Sequence, residues 1–307
     1  MFRYIIRRLL QMVLAFFGTT LLVYWLMFAA SGDPLAALAG EKPMSPSVRA
    51  ALTEQFHLDQ PFIVQYFYYM KGLLSFDLGN NLSNRDIADL VLSAWPYTLR
   101  LAFLAFIFVV VVGIPLGVWV AMKRGGVFDT TVLLLTLVII SIPVFVIGST
   151  LAMIGSMYGL WVTNVGGAGT LSAYLVPAIV LGSLSLATAV RLTRGSVSEN
   201  LRADYVRTAK AKGLKRLRVV GVHVLRNSLI PVITFLGIEL GGLMGGAIVT
   251  EKIFNIPGIG FELAKAINLE DGPTVVTIVS LLVIVYLVMN LIVDVLYAVL
   301  DPRIRYE

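Results

Sequence analysis

The sequence contains no cysteine, which excludes a disulfide framework, a thiolate nucleophile and a thiolate metal site. Histidine is nearly as scarce. His57 and His223 are the two in 307 residues, and neither sits in a ligand-like cluster. Charge is sparse as well: Asp, Glu, Lys and Arg make up 14% of the chain, where soluble domains carry about 25%. No stretch reads as a glycine-rich phosphate loop, so the chain is not expected to bind or hydrolyse ATP by itself.

What fills the chain instead is apolar, at 58% of residues, and it comes in long runs. A run of about 18 apolar residues or more crosses a bilayer core roughly 30 Å thick. Six such runs are read as spans, at 9–30, 99–122, 131–157, 171–191, 229–250 and 274–300. Arg3, Arg7 and Arg8 precede the first, which is longer than the apolar core of about 7–15 residues in a signal peptide, so an uncleaved span is expected. Pro115 and Pro143 fall inside spans, where membrane helices tolerate proline. The expected fold is all-α, a polytopic integral membrane protein with six transmembrane helices.

The chain divides into the N-terminus and first span at 1–30, a polar and aromatic segment at 31–97, and a five-helix core at 98–307. The middle segment predicts three short amphipathic helices near the membrane surface. One starts at Ser45-Pro46, since proline suits a first helical turn. The second starts at Pro61, with Phe62, Ile63, Tyr66, Phe67, Met70 and Leu74 at helical spacing. The third is signalled by Ser83 followed by Asp86.

Lys and Arg number three before the first span, two at Lys123–Arg124, ten in 191–228 and two in the tail; the alternate segments carry four in 31–96, none in 158–170 and two in 251–273. Cytoplasmic loops hold the excess of basic residues, so both termini are expected in the cytoplasm. The net charge of +6 is then the cytoplasmic face of a membrane protein, and no nucleic-acid partner is expected.

The longest cytoplasmic loop, 195–228, reads GSVSENLRADYVRTAKAKGLKRLRVVGVHVLRNS. Leu201, Tyr205, Ala209 and Lys212 have helical spacing, and Gly213 stands where the helix should stop in a left-handed conformation. A second short helix over 214–222 would lead back to the membrane. Ala209 and Ala211 are small enough to allow close approach by another protein. Taken by spacing alone, the loop is either such a docking element or a basic stretch held by anionic lipid headgroups.

This stretch resembles the cytoplasmic EAA loop of the inner-membrane subunits of binding-protein-dependent importers of the ATP-binding-cassette class. Ala209 and Gly213 match its second alanine and its glycine, while Arg207 and Thr208 replace the expected Glu and Ala. The run from Tyr205 to Gly213, with His223 to Pro231, is similar to the variant in the dipeptide, oligopeptide and nickel branch. Other pieces fall in the branch's order: Arg3 to Leu10, Phe76 to Gly79, Ile253 to Gly260, Asn290 to Asp294, Tyr297, and Asp301 to Arg305. The likeness is to the first of the two permease subunits.

The resemblance implies a type I importer transmembrane fold in the cell inner membrane. It implies half of a translocation path for short peptides, shared with a second permease subunit. An extracytoplasmic binding protein would deliver cargo, and cytoplasmic ATPase subunits, which bind ATP and magnesium, would supply the power. No cofactor, metal or catalytic residue is expected on this chain. Tyr205, Thr208, Ala209, Ala211, Gly213, His223, Leu225 and Arg226 would form the ATPase-coupling loop. Phe254, Pro257, Gly258 and Gly260, in a tight projecting turn, would contact the binding protein, unless loop 251–273 is a plain connector. An ion-coupled secondary transporter is the alternative; it would need coupling carboxylates and broken helices.

Two carboxylates fall in spans. Glu239, near the middle of the fifth, either lines the path or is protonated and bonded within the bundle. Asp294 is expected to pair with a cytoplasmic base such as Arg191 or Arg303. Neither has the flanking motif of an intramembrane protease. Gly237, Gly241 and Gly245, and Gly242 and Gly246, have the small-residue spacing of close helix contacts, within the chain or with a second permease.

Overall fold

A computed structural model describes residues 2–30, 35, 45–159 and 170–300, with the backbone alone at 2–5 and 296–300. The tail, with the likenesses at 301–305 and the Arg303 partner considered for Asp294, lies outside the described residues, as do 36–44 and 160–169.

Helix α1 (Phe2–Phe28) carries the first span. Its apolar surface is largely open, with Leu10, Leu14, Leu22 and Trp25 half-exposed or more, as lipid-facing residues are. Helix α2 (Pro46–Gln55) starts as its sequence predicts: Val48 N donates to Ser45 Oγ at 3.4 Å and proline occupies the first turn. Helix α3 (Phe62–Leu74) follows Pro61.

The third short helix does not exist as a separate element. Asp86, rather than Ser83, caps helix α4 (Ile87–Phe108), its Oδ1 accepting from Ala88 N at 2.7 Å. The helical run then continues through a π-helical turn, Val109–Gly113, into α5 (Ile114–Met122), so the second span begins well before residue 99. A widened turn here suits Pro115, which has no N–H to give to the preceding turn.

The third span is broken. Helices α6 (Val127–Ser141) and α7 (Val144–Tyr158) meet at 94° around Ile142 and Pro143. The proline ring disfavours helical backbone at the residue before it, and Ile142 is extended, with ψ 124.

Helix α8 (Leu175–Asn200) follows a 3₁₀ turn, and α9 (Asp204–Ala211) lies after a three-residue break. The second short helix expected over 214–222 is instead the start of one long run, Arg216–Phe254. It passes through a π-helical stretch, Val219–Val224, into α10 (Leu225–Phe254). Helices α11 (Ile259–Asn268) and α12 (Gly272–Leu300) complete the described residues. Among the described residues, five runs are long and apolar enough to cross a membrane, and the α6–α7 pair makes six if it counts as one span.

The chain forms two compact units. One comprises Met1–Thr98 with Pro257–Val288. Here helix α3 is fastened to spans rather than lying free. Tyr24 stacks on Phe28 with ring centres 4.5 Å apart, and Tyr69 sits 5.3 Å from Tyr24. The Tyr69 hydroxyl donates to Ser280 Oγ at 2.7 Å, and Tyr66 shares a 2.8 Å hydrogen bond with Thr20. Burial holds the Tyr69 phenol well above its ordinary pKa, so it stays a donor.

The other unit comprises Leu99–Ile256 with Met289–Glu307, and α8 is its centre. Helices α5, α6, α7 and α10 all pack against α8, which buries Val180, Leu181, Ala187, Ala189, Val190 and Val197. Contact is close because the facing residues are small. A Cβ added to Gly117 would lie 2.6 Å from Thr193 Cβ and 2.8 Å from the Val190 carbonyl. One added to Gly182 would lie 3.1 Å from Val109 and 3.2 Å from the Ala105 carbonyl.

Gly117→Leu is therefore expected to push α5 off α8 and to destabilise the unit by about 1–3 kcal/mol or more, as overpacking does. The measure is the melting temperature of the purified protein in detergent. Gly195→Ala, with nothing within 4 Å of the added atom, should leave it within error.

Candidate functional site

Helix α9 is short, and its sequence DYVRTAKA is amphipathic. Asp204 in the first turn and Lys210 in the last complement the helix dipole. Val206 and Ala209 point inward and are 0% and 5% exposed. They join Ala121 of α5, Val197 of α8, and Val219 and Val224 of the π-helical stretch in one apolar cluster, flanked by Val118, Leu201, Leu214 and Leu225. Helix α9 is thus seated across the ends of three membrane helices of its own unit.

Two locking devices hold it there. Gly213 has φ 76, in the left-handed region, as its place in the sequence predicts. Its N–H donates to the Lys210 carbonyl at 2.9 Å and that of Leu214 to the Ala209 carbonyl at 3.3 Å, the paired bonds of a Schellman stop. At the other end the Tyr205 hydroxyl donates to Asn200 Oδ1. Leu201, read by spacing as part of the helix, lies in the break before it.

The remaining sequence-predicted residues divide by exposure. Tyr205, Arg207, Thr208, Lys210 and Ala211 face outward, and the Thr208 hydroxyl donates to the Asp204 carbonyl at 3.1 Å. Ala209 does not: its small side chain serves packing beneath the helix, so only Ala211 of the pair offers close approach from outside. His223 and Leu225 are half-buried and Arg226 is exposed.

Beside this region lies an ion pair that the sequence reading missed. Arg194 of α8 donates from Nε and Nη2 to the two carboxylate oxygens of Asp129 on α6, each at 2.7 Å. The Gly125 N–H adds a third bond at 2.9 Å. The Asp129 side chain is 4% exposed and that of Arg194 21%. A two-pronged, charge-assisted pair of this kind fixes orientation as well as distance. The Lys123 ammonium nearby lies over the rings of Trp119 and Phe128. The only signal in the sequence was a carboxylate two residues before one expected span and an arginine three residues after another, and each by itself reads as a loop charge.

Glu239, at the middle of α10, accepts a hydrogen bond from the Ser185 hydroxyl of α8. It is half-buried. Glu251, read as the first residue of an outer loop, lies in the last turn of α10 instead and is fully buried. Of the glycine repeat, Gly237 packs inside the chain: an added Cβ would meet Val293 of α12 at 2.7 Å. Gly242 and Gly245 have nothing within 4 Å.

The 251–273 segment is mostly helical rather than a projecting turn. The tight turn itself is present, with Asn255 left-handed at φ 52. However, Phe254, Gly258 and Gly260 are buried, Pro257 is half-buried, and only Asn255 among 254–260 is fully exposed.

Comparison with known proteins gives this arrangement a family. Residues 113–306 match the family described as binding-protein-dependent transport system inner membrane component, and residues 1–102 match its N-terminal part. The dipeptide transport system permease protein of Escherichia coli K12 is 37% identical, with all of both chains covered. The di/tripeptide transport system permease protein of Pseudomonas aeruginosa is also 37% identical, and the glutathione transport system permease protein of Escherichia coli O6:H1 is 35% identical, each over the full length of both chains.

The burial of Ala209 generates a direct check. Ala209→Leu should lower the detergent melting temperature, at about 1–3 kcal/mol for an overpacked site. Lys210→Ala, one residue on and exposed, should change stability by no more than about 0.5 kcal/mol. Equal melting temperatures for the two variants would mean that α9 is not seated on the apolar cluster.

Proposed function

Since the chain belongs to the family of inner membrane components of binding-protein-dependent transport systems, we propose that it forms half of a path for short peptides through the membrane. Peptides are the cargo named for the relatives from Escherichia coli K12 and Pseudomonas aeruginosa, and glutathione is itself a tripeptide. The family works with a binding protein and with ATPase subunits. A second permease subunit supplies the other half of the path, and the partners bind ATP and magnesium.

The observation that carries this reading is helix α9, seated on the chain's own membrane helices by Val206 and Ala209 while Tyr205, Thr208 and Ala211 face outward. A docked ATPase subunit grips that outer face. Gly213 holds the helix end, and His223, Leu225 and Arg226 lead its movement into α10. The Lys and Arg distribution supports a cytoplasmic location for this loop and both termini. The 251–273 segment then faces the binding protein; Phe254, Gly258 and Gly260 shape its turn, and Asn255 and Pro257 present it. Glu239 stands at mid-membrane on the path, its carboxylate held by Ser185.

Affinity purification of this chain in mild detergent should bring down ATPase subunits and a second permease; recovery of the chain alone would contradict the proposal. Gly213→Val should separate docking from insertion. A β-branched residue at positive φ is strained, at about 1–2 kcal/mol. The chain should still insert, but ATPase co-purification or binding-protein-stimulated hydrolysis should fall. Wild-type values for both would remove the loop from the coupling role. Orientation is tested with single cysteines, which this cysteine-free chain permits. Lys212→Cys should resist an impermeant thiol reagent in intact cells and react once the membrane is opened.

A further inference from the structure

The Asp129–Arg194 pair has no place in the function just proposed, yet it joins two elements that the rest of the unit treats differently. Arg194 stands on α8 one turn before Val197, which lies in the apolar cluster under α9. Asp129 stands in the first turn of α6. On either side of it, Phe128 and Val132 pack with Val120 of α5 and Val190 of α8. The ends of α5 and α8, the seat of α9 and the first turns of α6 thus form one connected block, closed by a two-pronged ion pair and by Gly125. Beyond Ser141 the block stops, because Ile142 and Pro143 turn the chain through 94° into α7.

We propose that Asp129 and Arg194 are positioning residues for coupling. They make α6 move as one body with α9, so that displacement received at α9 is delivered to the bend at Ile142-Pro143, where the broken span hinges. The inference rests on the reading of 195–228 as the ATPase-coupling loop. A mechanical transmission needs an element that both ends bias, and a hinge needs a rigid arm on each side. Packing alone gives α6 lateral contact with α8; the paired bonds also forbid it to slide or rotate.

The test uses the assembled complex, reconstituted with its ATPase subunits, second permease and binding protein, with a dipeptide as the probe cargo. Arg194→Gln leaves the buried Asp129 carboxylate, and Asp129→Asn the half-buried Arg194 guanidinium, without a counter-charge, and each should lower stability. The double variant D129N/R194Q removes both charges and should recover assembly and melting temperature. Its transport per ATP hydrolysed should nevertheless fall about tenfold, within the range of coupling between sites. If the double variant recovers transport per ATP along with stability, the pair is a structural brace only and the proposal is wrong.

A measurement on the unaltered pair covers variants that fail to assemble. Spin labels at Val127→Cys and Lys212→Cys, both exposed, report the distance between the start of α6 and the end of α9. That distance should be the same with and without ATP. A change between the two states would show that α6 does not follow α9. Loss of ATPase co-purification in Gly213→Val speaks to the coupling-loop reading itself; an ATP-dependent distance with docking intact speaks against the pair alone.

Discussion

Lipid tails solvate a leucine as well as another leucine does, so helices in a bilayer gain little by burying apolar faces against each other. What holds them is dispersion at short range, which requires that backbones come close. In this chain that condition is met at α8. Gly117 and Gly113 lie against Thr193 and Ala189, and Gly182 lies against Val109 and the Ala105 carbonyl, with no room for a side chain at Gly117. Helices α5, α6, α7 and α10 take their places around that helix. Two of the carboxylates that follow the helices inward find hydrogen-bond partners where the helices meet. Asp129 finds Arg194, and Glu239 finds the Ser185 hydroxyl.

The same arrangement explains what can be moved. Helix α9 contributes two residues, Val206 and Ala209, to a cluster fed by α5, α8 and the π-helical start of the α10 run. A push on its outer face therefore reaches three membrane helices of the unit at once. No catalytic group is required of such an element. The chain's share is geometry: a seat, a left-handed stop at Gly213, and rigid helices leading away from both.

Much of this was legible in the sequence. Long apolar runs give the spans because nothing else tolerates them, and Ser45-Pro46, Pro61 and Gly213 act through backbone rules that hold anywhere. The 94° bend at Pro143 was not legible, since apolar residues on both sides give the same hydropathy whether the helix runs straight or breaks. The merger of 214–222 with α10 escaped for the opposite reason: the basic residues Arg216 and Arg218 set the short helix apart from the apolar span, while the backbone from Arg216 onward stays helical into α10. Ala209 was rightly read as small, but its direction depends on where α8 ends. The Asp129–Arg194 pair is a tertiary fact about residues 65 apart, and each alone looks like a loop charge.

The central claim is that this chain is a passive half-path, driven from outside itself. The most direct measurement is dipeptide uptake into vesicles holding the purified chain alone, under an imposed proton gradient, beside vesicles holding the whole complex with ATP and binding protein. The account predicts no gradient-driven accumulation in the first and ATP-dependent accumulation in the second. Accumulation by the chain alone, against a concentration difference and abolished by collapsing the proton gradient, would contradict it.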